Sequence, residues 1–181
     1  MDLSEAVAFD MKWINHFSWR RKSRGRKSAR PELDGVREID PARIRERAEH
    51  YYRSRELFCS EAVVKAIVEG FRLPVPDLVV AMASGFPLGM GGAGCTCGAL
   101  AGGVMALGLF FGRTEAKDRK RVTCMQLSKA LHDHFRDRHQ AVCCRVLTKG
   151  MRFGFSRNRE QCVSLAGEIA EETAKIILGG R

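Results

Sequence analysis

Seven cysteines are the side chains of this 181-residue sequence best suited to chemistry, and Cys95 and Cys97 stand one residue apart after a glycine-rich loop. A thiolate binds metals and attacks electrophiles, and a helix N-terminus stabilises it through the helix dipole and free amides. The apolar run that follows predicts a helix starting near Cys97. We therefore expect the loop to admit a charged group and the helix start to favour negatively charged sulfurs.

The other cysteines are scattered along the chain. Taken alone, each is compatible with a small buried hydrophobic residue, and this is the interpretation we prefer for Cys124 on a mid-helix stripe. Cys59 and Cys162 are predicted to lie on inward helix faces, and Cys143 and Cys144 in a turn of the same core. The sequence lacks the repeated CxxC of a zinc ribbon and the CxxCH of covalent haem, so no c-type haem is expected.

The loop from Gly85 to Gly94 contains five glycines in ten residues, too many for a regular element. Glycine permits positive φ and leaves amides unshielded, so such a loop can wrap around an anion or a cluster. The loop does not end in the GK[ST] of a phosphate-binding loop. No Ser-His-Asp or paired-carboxylate arrangement stands out either, which argues against hydrolase chemistry.

Helical periodicity and capping signals dominate the chain from residue 40 onward, without a strand pattern of useful length. We predict an all-α fold, an irregular helical bundle of about five helices with a glycine-rich loop. Gly98, Gly102 and Ala106 recur every four residues, which predicts a smooth strip where another helix approaches closely. The predicted helices cover residues 40 to about 70, 77–84, 97 to about 111, 114 to about 139, and 158 onward.

The cysteine count and the N-terminus bear on the compartment. Seven is an odd number, which excludes a fully paired disulfide framework, and no apolar signal segment opens the chain. We therefore expect a reducing, cytoplasmic location. The longest apolar run, residues 93–112, is glycine-rich and near the lower length limit for a membrane span, so we expect a buried core helix there.

Residues 1–39 are predicted to be a basic N-terminal arm with a short helix and a linker, separate from a helical cysteine-rich domain over 40–181. The chain carries a net charge of +10, and residues 1–30 hold eight cations against three carboxylates. Such an arm could bind an acidic redox partner, nucleic acid or an anionic membrane surface. The preferred interpretation is a solvated tail that docks on the domain or on a second subunit of a homodimer.

His132, His134 and His139 crowd the end of the predicted fourth helix. On a regular helix His132 and His134 point about 200° apart, so they cannot share one metal. A solvated polar face is the preferred interpretation, with metal or haem ligation and redox-coupled proton transfer as the alternatives.

The order of cysteines resembles a known family. Cys59, then CGALAG from Cys97 to Gly102, then Cys144 and Cys162, is similar to the redox-active family named for its C, GCAxxG, C, C pattern and characterised by a CGAxxG motif. The resemblance covers roughly residues 45–178 and is supported by FCSEAV, ASGFPLGMGG, MALGLFFGR and CCRVL. It does not cover the N-terminal 40 residues.

The resemblance implies a helical domain whose four cysteines form a redox or metal-binding centre. A related domain of the split-Soret cytochromes combines an iron–sulfur centre with haem, so an iron–sulfur cluster is the first cofactor implied here. The amides of Gly91, Gly92 and Gly94 could donate to cluster sulfurs and raise the potential. The implied ligands are Cys59, Cys97, Cys144 and Cys162, with Cys95 and Cys143 as alternates because this chain adds them to the four-cysteine pattern.

The function that follows is electron transfer, which needs no catalytic acid or base. Three alternatives stay open at this point. The first is a cluster-dependent reductase of a small substrate beneath the glycine loop, and the second is a thiol-redox or metal-sensing module. The third is a structural protein in which zinc or metal-free cysteines stabilise the bundle.

Overall fold

The computed structural model describes residues 39–149 and 156–180, with side chains from residue 159 in the second range. These ranges form eight helices and no strand, which confirms the all-α fold. The predicted arm lies outside the described residues except for Ile39. The helices are α1 (Pro41–Arg53), α2 (Cys59–Gly70), α3 (Leu78–Ala81), α4 (Pro87–Met90), α5 (Gly98–Phe111), α6 (Lys120–His139), α7 (Cys144–Leu147) and α8 (Ser156–Gly179).

The core lies between α2, α5 and α8. Helix α1 packs along α8, α2 packs along α5, and α5 also contacts α6 and α8. A Cβ added at Gly103 of α5 would lie 2.8 Å from Leu131 of α6 and 2.8 Å from Ile169 of α8. Three helices thus meet at one glycine. The predicted core helix over the longest apolar run is α5, and within the described residues no helix is both long and apolar enough to span a bilayer.

The predicted first helix is two helices. Helix α1 ends at Arg53, Arg55 adopts a φ of 67°, and α2 starts afresh at Cys59. The carboxylate of Glu61 accepts the backbone N–H of Phe58 at 2.9 Å, which satisfies one of the free amides that any helix start exposes. The apolar stripe continues through the break, which is why periodicity alone predicts one helix.

Two other helix limits differ from the sequence-based expectation. The segment 77–84 forms only one helical turn, α3, and α6 starts at Lys120 rather than after Thr114. The amide of Lys120 donates to Asp118 at 2.9 Å, so Asp118 supplies the local start that Thr114 was expected to give. The limits of α5 match the prediction.

The smooth strip on α5 faces α2, as the spacing predicts. A Cβ at Gly102 would lie 2.6 Å from the carbonyl oxygen of Ser60, and a Cβ at Gly98 would lie 2.5 Å from the Sγ of Cys59. Ala106 is fully buried on the same strip. The two backbones therefore approach more closely than any residue larger than glycine permits.

Gly102→Ala should lower the free energy of unfolding by about 1–3 kcal/mol, because its methyl group would meet the Ser60 backbone, which cannot rotate away. Gly108→Ala is the matched control in the same helix, since a Cβ there meets nothing within 4 Å. It should be neutral or stabilising by up to about 1 kcal/mol through helix propensity. Urea titrations followed by circular dichroism measure both changes, and equal effects of the two substitutions would contradict the close approach.

Candidate functional site

Four buried or half-buried cysteines converge from four separate elements. Cys59 is the first residue of α2, Cys97 is the N-cap of α5, Cys144 opens α7, and Cys162 lies near the start of α8. Their sulfurs are close enough for charge on one to act on another: ionised Cys144 and Cys162 raise the pKa of Cys59, and ionised Cys59 and Cys144 raise that of Cys97. We call this group the four-cysteine centre.

The CGAxxG glycines have a direct role in building this centre. The Sγ of Cys59 occupies the space that a side chain on Gly98 would fill, next to Cys97 in the sequence. The second motif glycine, Gly102, lets the backbone at Ser60 approach α5. The first turn of α5 therefore positions Cys97 and, at Gly98, leaves space for the sulfur of Cys59.

Cys97 and Cys144 are brought together by a single antiparallel bridge between Thr96 and Cys143. The amide of Cys97 donates to the carbonyl of Val142 at 2.8 Å, and the amide of Cys144 donates to that of Cys95 at 2.5 Å. The bridge is too short to leave an alternating pattern in the sequence, and it is therefore not predictable from periodicity.

Arg145 ties the glycine loop down beside the bridge. Its amide donates to the carbonyl of Gly94 at 3.0 Å, and its guanidinium donates to that of Ala93 at 2.8 Å. The arginine thereby offsets part of the disorder expected of a glycine-rich segment. No motif or periodicity in the sequence marks Arg145 for this role.

The loop follows an unusual backbone path at the centre. Leu88, Gly89 and Met90 all have positive φ, as do Gly91, Gly92 and Gly94. A Cβ at Gly89 would lie 2.6 Å from the amide nitrogen of Cys95 and 2.8 Å from the Cβ of Cys144, so the loop passes directly over the bridge. Glycine is required at this position both by conformation and by space.

The amides nearest the sulfurs are not those of the predicted donors. Gly91 and Gly92 are exposed, and the amides of Gly92 and Gly94 donate within the loop, to Pro87 at 3.3 Å and Leu88 at 3.2 Å. A role of Gly91, Gly92 and Gly94 toward a bound group stays a prediction. Hydrogen bonds to the sulfurs come from amides that the sequence analysis did not single out: those of Leu88 and Ser60 for Cys59, and those of Leu100 and Ala99 for Cys97.

Burial dominates the acidity of the centre. Desolvation raises the pKa of Cys59 to about 11 and that of Cys97 to about 12, although the neighbouring amides act in the opposite direction. The helix-start amides act on Cys97 in the predicted direction, since those of Leu100 and Ala99 lower its pKa, but in the free thiol burial has the larger and opposite effect. Burial also raises the pKa of Cys144 and Cys162.

Tyr52 extends the centre to α1. Its hydroxyl donates to the sulfur of Cys162, and this hydrogen bond lowers the pKa of Cys162 against the larger effect of burial. Arg159 and Glu160 hold the end of α1 against the start of α8 through the Arg53 carbonyl, at 2.8 Å, and the Arg53 guanidinium, at 3.2 Å. The sequence placed Tyr52 on an apolar stripe but offered no signal that its hydroxyl meets a cysteine.

The added cysteines lie outside the group of four, although the charge of Cys143 raises the pKa of the adjacent Cys144. Cys95 is exposed, and the half-buried Cys143 donates its thiol hydrogen to the carbonyl of Gly94 at 2.8 Å. Cys124 is half-buried on α6 and packs against the edge of the core. The coupling through charge thus joins Cys97 and Cys144, rather than Cys95 and Cys143, to Cys59 and Cys162.

The histidines at the end of α6 pair with carboxylates. His139 is hydrogen-bonded to Glu168 at 2.9 Å, and His132 to its neighbour Asp133 at 3.0 Å. Over residues 39–149 and 156–180, no three or more His, Cys, Asp or Glu side chains are arranged so that they could hold a metal ion as they stand. The donor chemistry of the four-cysteine centre suits a metal, but its free thiols do not form a preassembled ion site.

The family model described as "Putative redox-active protein (C_GCAxxG_C_C)" matches residues 57–176. The chain belongs to this family. The matched segment includes every cysteine of the centre and confirms the resemblance found from the motif, whereas Tyr52 and the basic arm precede it. Searches of curated proteins and of solved structures give no match. Family membership thus supports a redox role.

We expect the stability of the metal-free, reduced protein to fall as the pH rises above 9. Between pH 9.0, the ordinary value, and about 12, Cys97 has lost its proton in the unfolded chain but keeps it in the folded protein, so ionisation favours unfolding. The contribution of Cys97 is fully present below pH 9 and is lost through pH 12. Cys97→Ser, which removes the ionising group, should flatten the decline in urea titrations from pH 8 to 11. Identical slopes for the two proteins would contradict the burial argument.

Tyr52→Phe should slow the alkylation of Cys162 several-fold in the metal-free protein, because loss of the hydroxyl donor raises the pKa of that thiol. Tyr51→Phe is the matched control, since the hydroxyl of Tyr51 donates to Glu69 at 2.7 Å instead. Site-resolved mass spectrometry after timed exposure to iodoacetamide gives the rates. Equal slowing in both variants would show that the effect is structural rather than due to the hydrogen bond.

Proposed function

We propose that the protein is an electron-transfer protein that binds an iron–sulfur cluster through Cys59, Cys97, Cys144 and Cys162. The observation that carries the proposal is the convergence of these four thiols from four separate elements. Four thiolates are the usual ligand set of [2Fe–2S] and [4Fe–4S] clusters. A resident cluster would supply a one-electron redox couple.

The acidity of the centre supports a cationic partner. A neutral buried thiol is stable, but a buried thiolate needs a nearby positive charge to offset the cost of desolvation. Burial raises the pKa of Cys59 to about 11 and that of Cys97 to about 12, so ionising either thiol without a nearby positive charge is unfavourable. Iron meets this need, and the backbone amides of Leu88 and Leu100 would then support the anionic sulfurs through hydrogen bonds.

The spread of the cysteines favours a cluster over a single zinc ion. Tetrahedral zinc with Zn–S bonds of about 2.3 Å needs four sulfurs about 3.8 Å apart around a single ion. A cluster holds its ligands around several metal atoms and inorganic sulfide. This arrangement suits thiols that come from separate elements and interact through their charges. Zinc is the competing occupant that the experiment below separates from it.

The chain's own residues would set the redox properties. Amides that donate to sulfur stabilise the more reduced, more negative state and so raise the potential, and the Tyr52 hydroxyl on Cys162 acts in the same direction. Cys59 and Cys97 are buried, whereas Cys144 and Cys162 are half-buried. Electrons would therefore enter and leave on the side formed by α7 and the start of α8.

The partner that we propose is an acidic redox protein. Arg145 lies exposed at this side of the centre, and the arm adds a net charge of +5 within residues 1–30. Opposite charges accelerate encounter and make the rate sensitive to salt. We also expect a cytoplasmic location and contact between two copies of the chain.

The protein purified without oxygen should be coloured and contain iron and acid-labile sulfide in similar amounts. Cys-to-Ser substitution at any of positions 59, 97, 144 or 162 should remove most of both, while Cys124→Ser, a half-buried cysteine outside the centre, should retain them. Circular dichroism checks that each variant keeps its helices. Zinc without sulfide, or full iron content in the four centre variants, would overturn the proposal.

A further inference from the structure

One side of α5 is apolar and open to solvent among the described residues. The helix, GALAGGVMALGLFF, has no charged, hydroxyl or amide side chain, and its other sides pack on α2, α6 and α8. Val104 is exposed on the open side, and a Cβ added at Gly108 would meet nothing within 4 Å. Two half-buried residues, Ala101 and Met105, complete the stripe at helical spacing. We call this stripe of four residues the outer face of α5. A helix side that faces water normally carries polar residues, so this face is expected to be covered.

The N-terminal segment 1–19 has a sequence pattern that suits such a face. It places Leu3, Val7 and Ile14 at helical spacing, with Trp13 at the edge of the stripe. As a helix the segment would be about 28 Å long, compared with about 21 Å for α5. The segment is therefore long enough to cover the outer face from one end to the other.

The connection lets the segment reach this face. Ile44 of α1 packs beside Gly70, where α2 ends. The ring centroid of the next residue, Phe71, lies 4.9 Å from that of Phe110 near the end of α5. The arm thus joins the domain at the end of the bundle away from the four-cysteine centre. Residues 20–38 span up to about 60 Å when extended, which is roughly three times the length of α5.

Charge favours one direction of the segment along α5. The stretch 113–121, which follows α5 directly, carries five cations against two carboxylates, a net charge of +3. Segment 1–19 carries Asp2, Glu5 and Asp10 against one lysine, a net side-chain charge of −2. Opposite charges attract across a short gap. The acidic beginning of the segment therefore suits the C-terminal end of α5, so that the two would run antiparallel.

We propose that residues 1–19 dock as an amphipathic helix on the outer face of α5 of the same chain, antiparallel to it. The apolar stripe of the segment covers Val104, and the missing side chain at Gly108 allows a close approach. Residues 20–38 return along the surface to α1. Their cations then begin at the end of the bundle that holds the four-cysteine centre. The docking itself requires no bound cluster.

Tryptophan fluorescence reports this docking, because Trp13 and Trp19 are the only tryptophans of the chain. The test uses the full chain with Trp19→Phe, metal-free and reduced, so that Trp13 is the single reporter. Its emission should lie to the blue of that of the urea-unfolded chain, and acrylamide should quench it several-fold more weakly. Val104→Glu and, separately, Gly108→Glu should abolish both differences, because a carboxylate covered by an apolar segment is costly.

Val122→Glu is the matched control for Val104→Glu. Val122 is 46% exposed, compared with 36% for Val104, and it lies nine residues before the buried Leu131, on the solvent side of α6. This variant should keep Trp13 protected from acrylamide. Circular dichroism checks that every variant retains its helices, and light scattering measures the mass of each.

The proposal is overturned if Trp13 is as accessible in the folded chain as in urea, or if Val122→Glu exposes it as much as Val104→Glu does. Protection that grows with protein concentration, together with a dimer in light scattering, would assign the outer face to a second copy and would also overturn it. The samples hold no metal, so these outcomes are separate from the iron and sulfide analysis that tests the proposed function.

Discussion

The close contact between α2 and α5 is the constraint on which the rest of the site depends. At Gly98 and Gly102 there is no room for a Cβ, because the Cys59 sulfur and the Ser60 backbone occupy that space. The contact places the first residue of α2 beside the N-cap of α5, and it does so through backbone proximity rather than through a polar bond. Glycines that look like flexible positions in the sequence therefore serve here as packing positions, and their spacing follows the helical repeat.

The second determinant is the cost of charge in the core. Helix-start amides are present at Cys59 and Cys97, yet burial leaves both thiols neutral over the physiological pH range. The amides therefore offer hydrogen bonds to anionic sulfurs, although both free thiols are neutral. In the four-cysteine centre the hydrogen-bond donors are in place although the thiols are not ionised. A reactive surface cysteine differs, because solvent supports its thiolate directly.

Sequence reasoning succeeded where one periodic pattern was sufficient, as in the all-α class, the limits of α5 and the smooth strip on that helix. It failed where a local interaction cut across the pattern: Glu61 starts a new helix within a continuous apolar stripe, and Asp118 starts α6 later than Thr114 would. The Thr96–Cys143 bridge joins residues 47 apart through a single pair, and a pattern of period two cannot be recognised in one pair. The Tyr52 hydroxyl meets Cys162 across more than 100 residues, which one sequence without tertiary contacts does not reveal.

The spacing of the centre along the chain links occupancy to folding. Its cysteines stand at positions 59, 97, 144 and 162, so they divide the domain into long segments. A group bound to all four would close several loops at once and remove conformational freedom from the unfolded chain, as a set of cross-links does. A newly made chain would have to reach Cys162, near the start of α8, before the last cysteine could take part. A group that needs all four thiols would therefore bind completely only after most of the domain has been made.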